Sequence, residues 1–292
     1  MLNNRKHSHD VFNSLAQTEI GFYYAKAREH KSMNNTHNHN RRRFLKNTAM
    51  LGALSTIAPQ LLKAEAFNKE DVSPNGGNMT FLFQGDSITD GNRTRNSDWN
   101  HVMGHGYQYI IASKLWYDFP RKNFHFFNRG ISGNKVTDLA NRWQKDTLDI
   151  KPDVLSILIG INDTSTFIGG NKDFSSEQYE TKYRELLQQT RQQLPGVKLV
   201  LCEPFILPVG KVKEQWEQYS TEVKKRQAIV KKLSEETGAI FVAFQAAFDK
   251  VLSKAPAEYW IWDGIHPMPA GHELMAREWL KQVSKKLRVI KA

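Results

Sequence analysis

The residues that could do chemistry in this sequence fall into short polar segments that follow apolar stretches. The first segment is Gly85-Asp86-Ser87, and the last carries Asp263 and His266 three positions apart. A serine hydroxyl becomes an effective nucleophile only when a base removes its proton. A histidine can act as that base, and a neighbouring carboxylate can orient the imidazole and stabilise its charged form. Ser87, His266 and Asp263 are therefore the candidate nucleophile, base and orienting acid.

Two further polar segments lie between these ends, and each also follows an apolar run. Residues 128–134 read NRGISGN and residues 160–163 read GIND. Together with GDS at 85–87 and WDGIHP at 262–267, they resemble, in the right order, the four consensus blocks of the SGNH (GDSL) hydrolase superfamily. Five short motifs are similar to motifs of its acetylxylan esterase branch, and they lie at residues 128–134, 142–143, 151–153, 245–248 and 262–267.

The resemblance implies a serine esterase that works through an acyl-enzyme and needs neither a cofactor nor a metal. In this superfamily the oxyanion hole combines backbone NH groups with an asparagine side chain, which are carried here by Ser87, Gly133 and Asn162. The branch removes acetyl groups from polysaccharides, so an acetylated carbohydrate is the expected substrate and a nucleic acid is not. Nearby aromatic residues could stack on sugar rings or could simply be packing residues; these are Trp99, Trp260 and Trp262.

Several alternatives remain open from the sequence. Ser87 could instead cap the helix that follows it. Ser132 is a rival nucleophile, although Asn134 stands where a G-x-S-x-G elbow requires its second glycine. A lysophospholipase or thioesterase-like lipid esterase would share the same motifs but would need a long apolar groove. A noncatalytic glycan-binding protein on this fold would be expected to have lost part of the triad.

Apolar runs of strand length alternate with amphipathic stretches of helix length from residue 79 onward. Strands are predicted at 80–84, 124–128, 154–159, 197–202 and 239–243, and helices at 105–117, 135–144, 176–194, 214–237 and 270–287. This alternation predicts an α/β fold, a three-layer α/β/α sandwich with a flavodoxin-like parallel sheet of strand order 2-1-3-4-5. Such a sheet carries its site at the carboxyl ends of its strands, which is where the polar segments fall.

The first part of the chain has the character of an export signal. Of the 292 residues, with a formal charge of +11, the first 66 hold ten Lys and Arg but four Asp and Glu. Arg41 and Arg42 precede Phe44-Leu45-Lys46 and a short apolar run, a pattern that resembles a twin-arginine signal. We expect translation to start at Met33, cleavage after Ala66, a linker at 67–78 and a hydrolase domain at 79–292. The predicted location is periplasmic or extracellular, without a stable membrane anchor after cleavage.

Overall fold

A computed structural model of the chain describes residues 79–96, 98 and 100–291. The predicted signal and linker therefore lie outside the described residues, as does Trp99. The described residues form one parallel sheet whose strands are β1 (Thr80–Gly85), β2 (His125–Asn128), β3 (Val154–Leu158), β4 (Lys198–Cys202) and β5 (Ile240–Val242). The strand order is β2-β1-β3-β4-β5, and every pairing is parallel. The predicted topology is confirmed, and each predicted strand overlaps an observed one.

The strands alternate their side chains between two apolar layers. Phe81 and Phe83 of β1 belong to one buried cluster, while Leu82 belongs to the other. The central strand β3 is buried at every position. A strand covered on both faces needs apolar residues at nearly all positions rather than at alternate ones, and this explains the unbroken apolar run in its sequence. The sheet is therefore the middle layer of the sandwich.

Helices cover both faces of the sheet. In chain order they are α1 (Ser87–Asp90), α2 (Tyr107–Asp118), α3 (Val136–Trp143), α4 (Ile161–Ile168), α5 (Ser176–Gln193), α6 (Gly210–Lys213), α7 (Trp216–Thr237), α8 (Phe244–Val251), α9 (Ala257–Trp260) and α10 (Pro269–Ser284). A π-helical turn, Gln144–Leu148, continues α3, and 3₁₀ turns occupy Lys172–Phe174 and Arg288–Ile290. Helices α2, α8 and α10 pack in the first cluster, α3 and α5 pack in the second, and α7 contributes its first half to the first cluster and its second half to the second. None of the helices in the described part of the chain is both long and apolar enough to cross a membrane.

The helix ends refine the predictions. Helix α7 stops at Gly238, which adopts a φ of 65°, a left-handed conformation that glycine takes at little cost. Helix α5 is capped by Ser175, whose side chain accepts from the Gln178 amide at 3.4 Å. At the start of α10, Met268 provides no side-chain cap, and Pro269 fills the first turn. The sequence did not predict α4, α6, α8 or α9.

Candidate active site

Ser87 is the first residue of α1, directly after the carboxyl end of β1. The residue that caps this helix is Asp86, whose carboxylate accepts from the Ile88 amide at 3.0 Å. The alternative that Ser87 merely caps the helix is therefore wrong. The turn leaves no room beside Gly85, because a Cβ there would lie 2.4 Å from the Leu158 carbonyl oxygen. Ser87 is thus held on a tight strand-to-helix turn with its hydroxyl available for other contacts.

Three side chains from the two ends of the domain form a hydrogen-bonded chain. Ser87 Oγ lies 2.8 Å from His266 Nε2. The other ring nitrogen, His266 Nδ1, lies 2.8 Å from Asp263 Oδ2. If Nδ1 carries the ring proton and donates it in a hydrogen bond to the carboxylate, Nε2 is left as an acceptor facing the serine hydroxyl. This is the arrangement that a histidine needs in order to take a proton from serine.

Backbone amides hold the Asp263 carboxylate in place through Oδ1, the oxygen that does not contact His266 Nδ1. Its Oδ1 accepts from the backbone amides of Ile265 at 3.0 Å and His266 at 2.7 Å. Burial alone would raise the pKa of Asp263, but the hydrogen bonds from His266 and from Ile265 outweigh it and hold that pKa below its usual value. The carboxylate therefore stays ionised. Lys211 also approaches Oδ2, at 3.5 Å, although its side chain is 59% exposed.

The loop that carries Asp263 packs directly on the segment before α6. Leu207 donates its amide to the Gly264 carbonyl at 3.0 Å. A Cβ on Gly210 would lie 2.5 Å from Asp263 Cα, and one on Gly264 would lie 2.6 Å from the Val209 carbonyl oxygen. Both glycines have positive φ, at 52° and 92°. This close backbone contact fixes the position of the loop that carries Asp263 and His266.

Gly133 and Asn162, the other residues predicted for an oxyanion hole, follow β2 and β3. Gly133 has a φ of 81°, and no atom beyond its two chain neighbours lies within 4 Å of where its Cβ would stand. The positive φ and the open space explain glycine at a place where a substrate could approach the main chain. Asn162 donates one amide hydrogen to the Asn134 carbonyl at 3.1 Å. Its second amide hydrogen remains available for another acceptor.

The two described candidate tryptophans differ in their surroundings. Trp262 is 61% exposed, and its ring stacks on His266 with 6.1 Å between centroids and 24° between planes. Trp260 packs against the first apolar cluster and donates its indole NH to the Ala255 carbonyl at 3.2 Å. The structure therefore brings Trp262 to the triad and gives Trp260 a packing role.

The rival nucleophiles lack a base. Within the described ranges, no histidine bonds to Ser132, whose backbone amide donates to Asp90 at 3.1 Å. Cys202 is fully buried, as expected of a small apolar residue, and burial raises the pKa of its thiol to about 12. A thiol with that pKa is almost entirely protonated near neutral pH. Of Ser87, Ser132 and Cys202, Ser87 is the one that has a histidine at hydrogen-bond distance within the described residues.

Two carboxyl groups buried beneath the site have raised pKa values. Burial raises the pKa of Asp86 to about 7, and the nearby charge of Asp163 adds to the rise. Burial likewise raises the pKa of Asp163 to about 6, against the hydrogen bond that it accepts from the Val136 amide at 3.1 Å. Both groups bond to backbone amides at helix starts. Asp86 and Asp163 therefore brace the starts of α1 and α3.

A second histidine, His272, is buried on α10 behind the site. Its Nδ1 accepts from the Tyr107 amide at 3.2 Å. Burial, with repulsion from His105 and His266, lowers the pKa of His272 from its ordinary value of 6.5 to about 4. The unfolded chain therefore binds a proton near pH 6.5, whereas the folded chain does not until about pH 4. Falling pH favours unfolding across this window.

We expect the titration of His272 to lower the free energy of unfolding by about 3 kcal/mol when the pH falls from 7.5 to 4. His272→Asn keeps an acceptor for the Tyr107 amide but cannot titrate, and the two residues have similar helix propensities. Urea unfolding of both proteins at the two pH values measures the difference, and titrations common to both proteins cancel. Equal losses of stability in the two proteins would contradict a buried, neutral His272.

Comparison with known proteins places the chain in a family. The sequence profile of the GDSL-like lipase/acylhydrolase family matches residues 83–274. The chain belongs to this family. It is 34% identical over 217 residues to an acetylxylan esterase from Geobacillus stearothermophilus, covering 71% of this chain and 95% of that one. The predicted resemblance is confirmed, and this GDSL family member is a carboxylic ester hydrolase.

Solved structures agree with this placement. A crystal structure described as a GDSL-like lipase from Parabacteroides merdae has 43% identity and a TM-score of 0.68, over 71% of this chain and 96% of its own. A structure of the Geobacillus stearothermophilus esterase has 33% identity and a TM-score of 0.63, over 70% and 94%. Structures of that esterase include variants described as catalytic mutants, in which an aspartate, a serine or a histidine is replaced by alanine.

The structure also shows contacts that the sequence reasoning missed. Lys211 reaches Asp263 from α6, a four-residue helix too short to give a periodic signal. Arg142 and Asn134 connect the loops around Ser87. In the sequence, Arg142 was noted only as part of a short motif of the esterase branch. No pattern within one segment predicts contacts between segments. An alignment that paired these positions could have revealed them.

Proposed function

We propose that this ester hydrolase is an exported acetylesterase that acts on carbohydrates, with Ser87, His266 and Asp263 as its catalytic triad. The observation that carries the proposal is the chain of 2.8 Å contacts from the serine hydroxyl through both ring nitrogens to the carboxylate. The same three residue types are replaced in the esterase variants described as catalytic mutants. A degraded triad, which a noncatalytic glycan-binding protein would be expected to show, is not supported, since all three side chains are present and in contact.

The proposed reaction runs in two halves. Ser87 Oγ attacks the acetyl carbonyl carbon while His266 Nε2 takes the hydroxyl proton. The ester C–O bond then breaks, and the leaving alcohol takes that proton from His266, so that acetyl-Ser87 remains. In the second half, water attacks the acetyl carbonyl and gives one proton to His266. The bond to Ser87 Oγ breaks, the proton on His266 returns to that oxygen, and acetic acid leaves and ionises in solution.

Negative charge develops on the carbonyl oxygen in both halves. We assign its stabilisation to the backbone amides of Ser87 and Gly133 and to the free amide hydrogen of Asn162. The exposed, Cβ-free main chain at Gly133 and the tethered Asn162 side chain support this assignment. Donors that are already fixed in place lose little energy in reorienting when the charge appears. Kinetics of Asn162→Ala, alone and combined with a change at Arg142, test the assignment.

The carbohydrate substrate rests on two observations. One is the similarity to an acetylxylan esterase along nearly its whole length. The other is Trp262, whose exposed ring lies parallel to His266, the group that protonates the leaving alcohol. A flat indole face is a favourable place to bury the apolar C–H groups of a sugar ring. We therefore place the leaving sugar against Trp262.

Rates on a panel of substrates test this part of the proposal. The panel contains acetylated xylo-oligosaccharides, p-nitrophenyl acetate and p-nitrophenyl esters of increasing acyl length. We expect kcat/KM to fall as the acyl chain lengthens and the acetylated oligosaccharides to be deacetylated. Activity that rises with acyl length, with no release of acetate from the oligosaccharides, would instead favour a lysophospholipase or thioesterase-like lipid esterase.

Export rests on the sequence of the first 66 residues, which lie outside the described residues. If the twin-arginine route is used, replacing Arg41 and Arg42 together by lysine should leave uncleaved precursor in the cytoplasm. Cell fractionation and the size of the product measure this outcome, with Arg121→Lys, at an exposed position of the hydrolase domain, as a control outside the signal. Normal cleavage in the double variant would argue for the general secretory route.

A further inference from the structure

Arg142 is a largely buried cation on α3, with 15% of its side chain exposed. Its Nη1 donates to Gln84 Oε1 at 2.9 Å and to Asp146 Oδ2 at 3.1 Å. Its Nη2 donates to the Gly85 carbonyl at 3.4 Å. Gln84 and Gly85 are the last two residues of β1 and lie just before the nucleophile turn. One edge of the guanidinium is therefore fixed to the strand that carries Ser87.

The other edge of the same guanidinium holds the loop after β2. Arg142 Nε donates to the side-chain oxygen of Asn134 at 2.9 Å. Asn134 directly follows Gly133, the second proposed oxyanion donor. The backbone carbonyl of Asn134 accepts the Asn162 amide at 3.1 Å, and Asn162 is the third donor. Arg142 thus contacts, directly or through one residue, the chain segments that carry all three donors.

We propose that Arg142 is a positioning residue that, through Asn134, sets the place of the Asn162 oxyanion donor relative to Ser87. This inference rests on the proposed function, because it assumes that Ser87, Gly133 and Asn162 donate to the oxyanion. Arg142 itself is not assigned any contact with the substrate. Its contacts with the end of β1 fix the guanidinium relative to Ser87, and its effect on catalysis passes through Asn134 to Asn162.

The geometry explains why this position requires arginine. The guanidinium is planar and presents its N–H groups in a fixed fork, so bonds at one edge fix the direction of bonds at the other. Asp146 is itself anchored, since Gln84 donates to the Asp146 carbonyl at 2.9 Å and to Thr147 at 2.8 Å. A lysine could keep the ion pair with Asp146. It could not hold Asn134 and β1 at the same time in a fixed plane.

A double-mutant cycle tests the inference with p-nitrophenyl acetate as the substrate. The proteins are the full chain, Arg142→Lys, Asn162→Ala and the double variant. We expect Asn162→Ala to lower kcat by about 10²–10³-fold with KM changed little, as for a lost oxyanion donor. Arg142→Lys should lower kcat by about 10- to 100-fold, again with little change in KM, because misplaced donors lose part of the same stabilisation.

The result that decides the test is the loss of kcat in the double variant relative to Asn162→Ala. If Arg142 acts through Asn162, adding Arg142→Lys to Asn162→Ala should lower kcat by much less than it does alone, within about threefold. The matched control is Arg191→Lys, whose arginine also bridges separate segments, donating to the backbone carbonyls of Val197 at 2.8 Å and Thr237 at 2.9 Å. Arg191 holds no proposed donor, so its variant should keep its kcat.

The outcomes separate the inference from the proposed function. An unchanged kcat in Asn162→Ala would refute the oxyanion assignment itself. A large Asn162→Ala effect with losses that multiply in the double variant, or an unchanged kcat in Arg142→Lys, would refute the positioning role alone. If Arg142→Lys unfolds, Asn134→Ala replaces it in the cycle, because it removes the Arg142 contact to the loop and leaves the contacts to Gln84 and Asp146. The same non-additivity with Asn162→Ala is then expected.

Discussion

Replacing Ser87 by alanine is expected to lower kcat for acetyl-ester hydrolysis by about 10⁶-fold, as is typical when a serine nucleophile is removed. Without the hydroxyl no acyl-enzyme can form, and what remains is the modest acceleration that binding and the oxyanion donors provide. The fold should not change, because the α1 cap is Asp86 and not Ser87. Steady-state rates and urea unfolding of the same preparation measure both quantities.

Ser132→Ala is the matched control for that variant. The Ser132 hydroxyl has no histidine partner within the described residues, and the contact of this residue with Asp90 is made by its backbone amide. We expect Ser132→Ala to keep most of its activity. If Ser87→Ala hydrolyses the acetyl ester at close to the normal rate while Ser132→Ala does not, the nucleophile assignment is reversed.

Asp263→Asn is expected to lower kcat by about 10⁴-fold, and the contacts of the carboxylate explain why. Oδ1 accepts two backbone amides, so the oxygen of an asparagine would remain there and its NH₂ group would face His266 Nδ1. A donor at that place requires Nδ1 to accept, which puts the ring proton on Nε2. Nε2 then cannot take the proton of Ser87.

A variant at a second residue near this carboxylate provides the control for Asp263→Asn. Lys211→Met is the control, because Lys211 contacts the same carboxylate at 3.5 Å but is largely exposed. An exposed pair of this kind contributes little, so kcat should change by no more than a few fold. An unchanged kcat in Asp263→Asn would show that this carboxylate does not orient His266.

Much of the fold could be predicted because the relevant signals are local. A buried parallel strand must be apolar throughout, and a helix of 18 or 22 residues shows several turns of periodicity. The shortest helices gave no such signal: α6 and α9 have four residues each. Ser175 and Ser176 are chemically equivalent as caps, so only the backbone geometry decides between them.

The site was predictable to the extent that its residues lie in recognisable words. The blocks placed Ser87, Gly133, Asn162 and the Asp263–His266 pair at strand ends, and the topology then required them to meet at one edge of the sheet. The contacts that hold these words together were not predictable in this way. Arg142 bonds to Gln84, 58 residues away, through packing that involves three separate segments.

The most direct test of the proposed mechanism is to find where the acetyl group is held during turnover. Rapid acid quenching of the protein with p-nitrophenyl acetate, followed by peptide mass mapping, locates any covalent intermediate. The mechanism predicts one acetyl group on the peptide that contains Ser87, and none in Ser87→Ala treated in the same way. Acetylation at Ser132, or full activity with no covalent intermediate under conditions that trap a known acyl-enzyme, would contradict it.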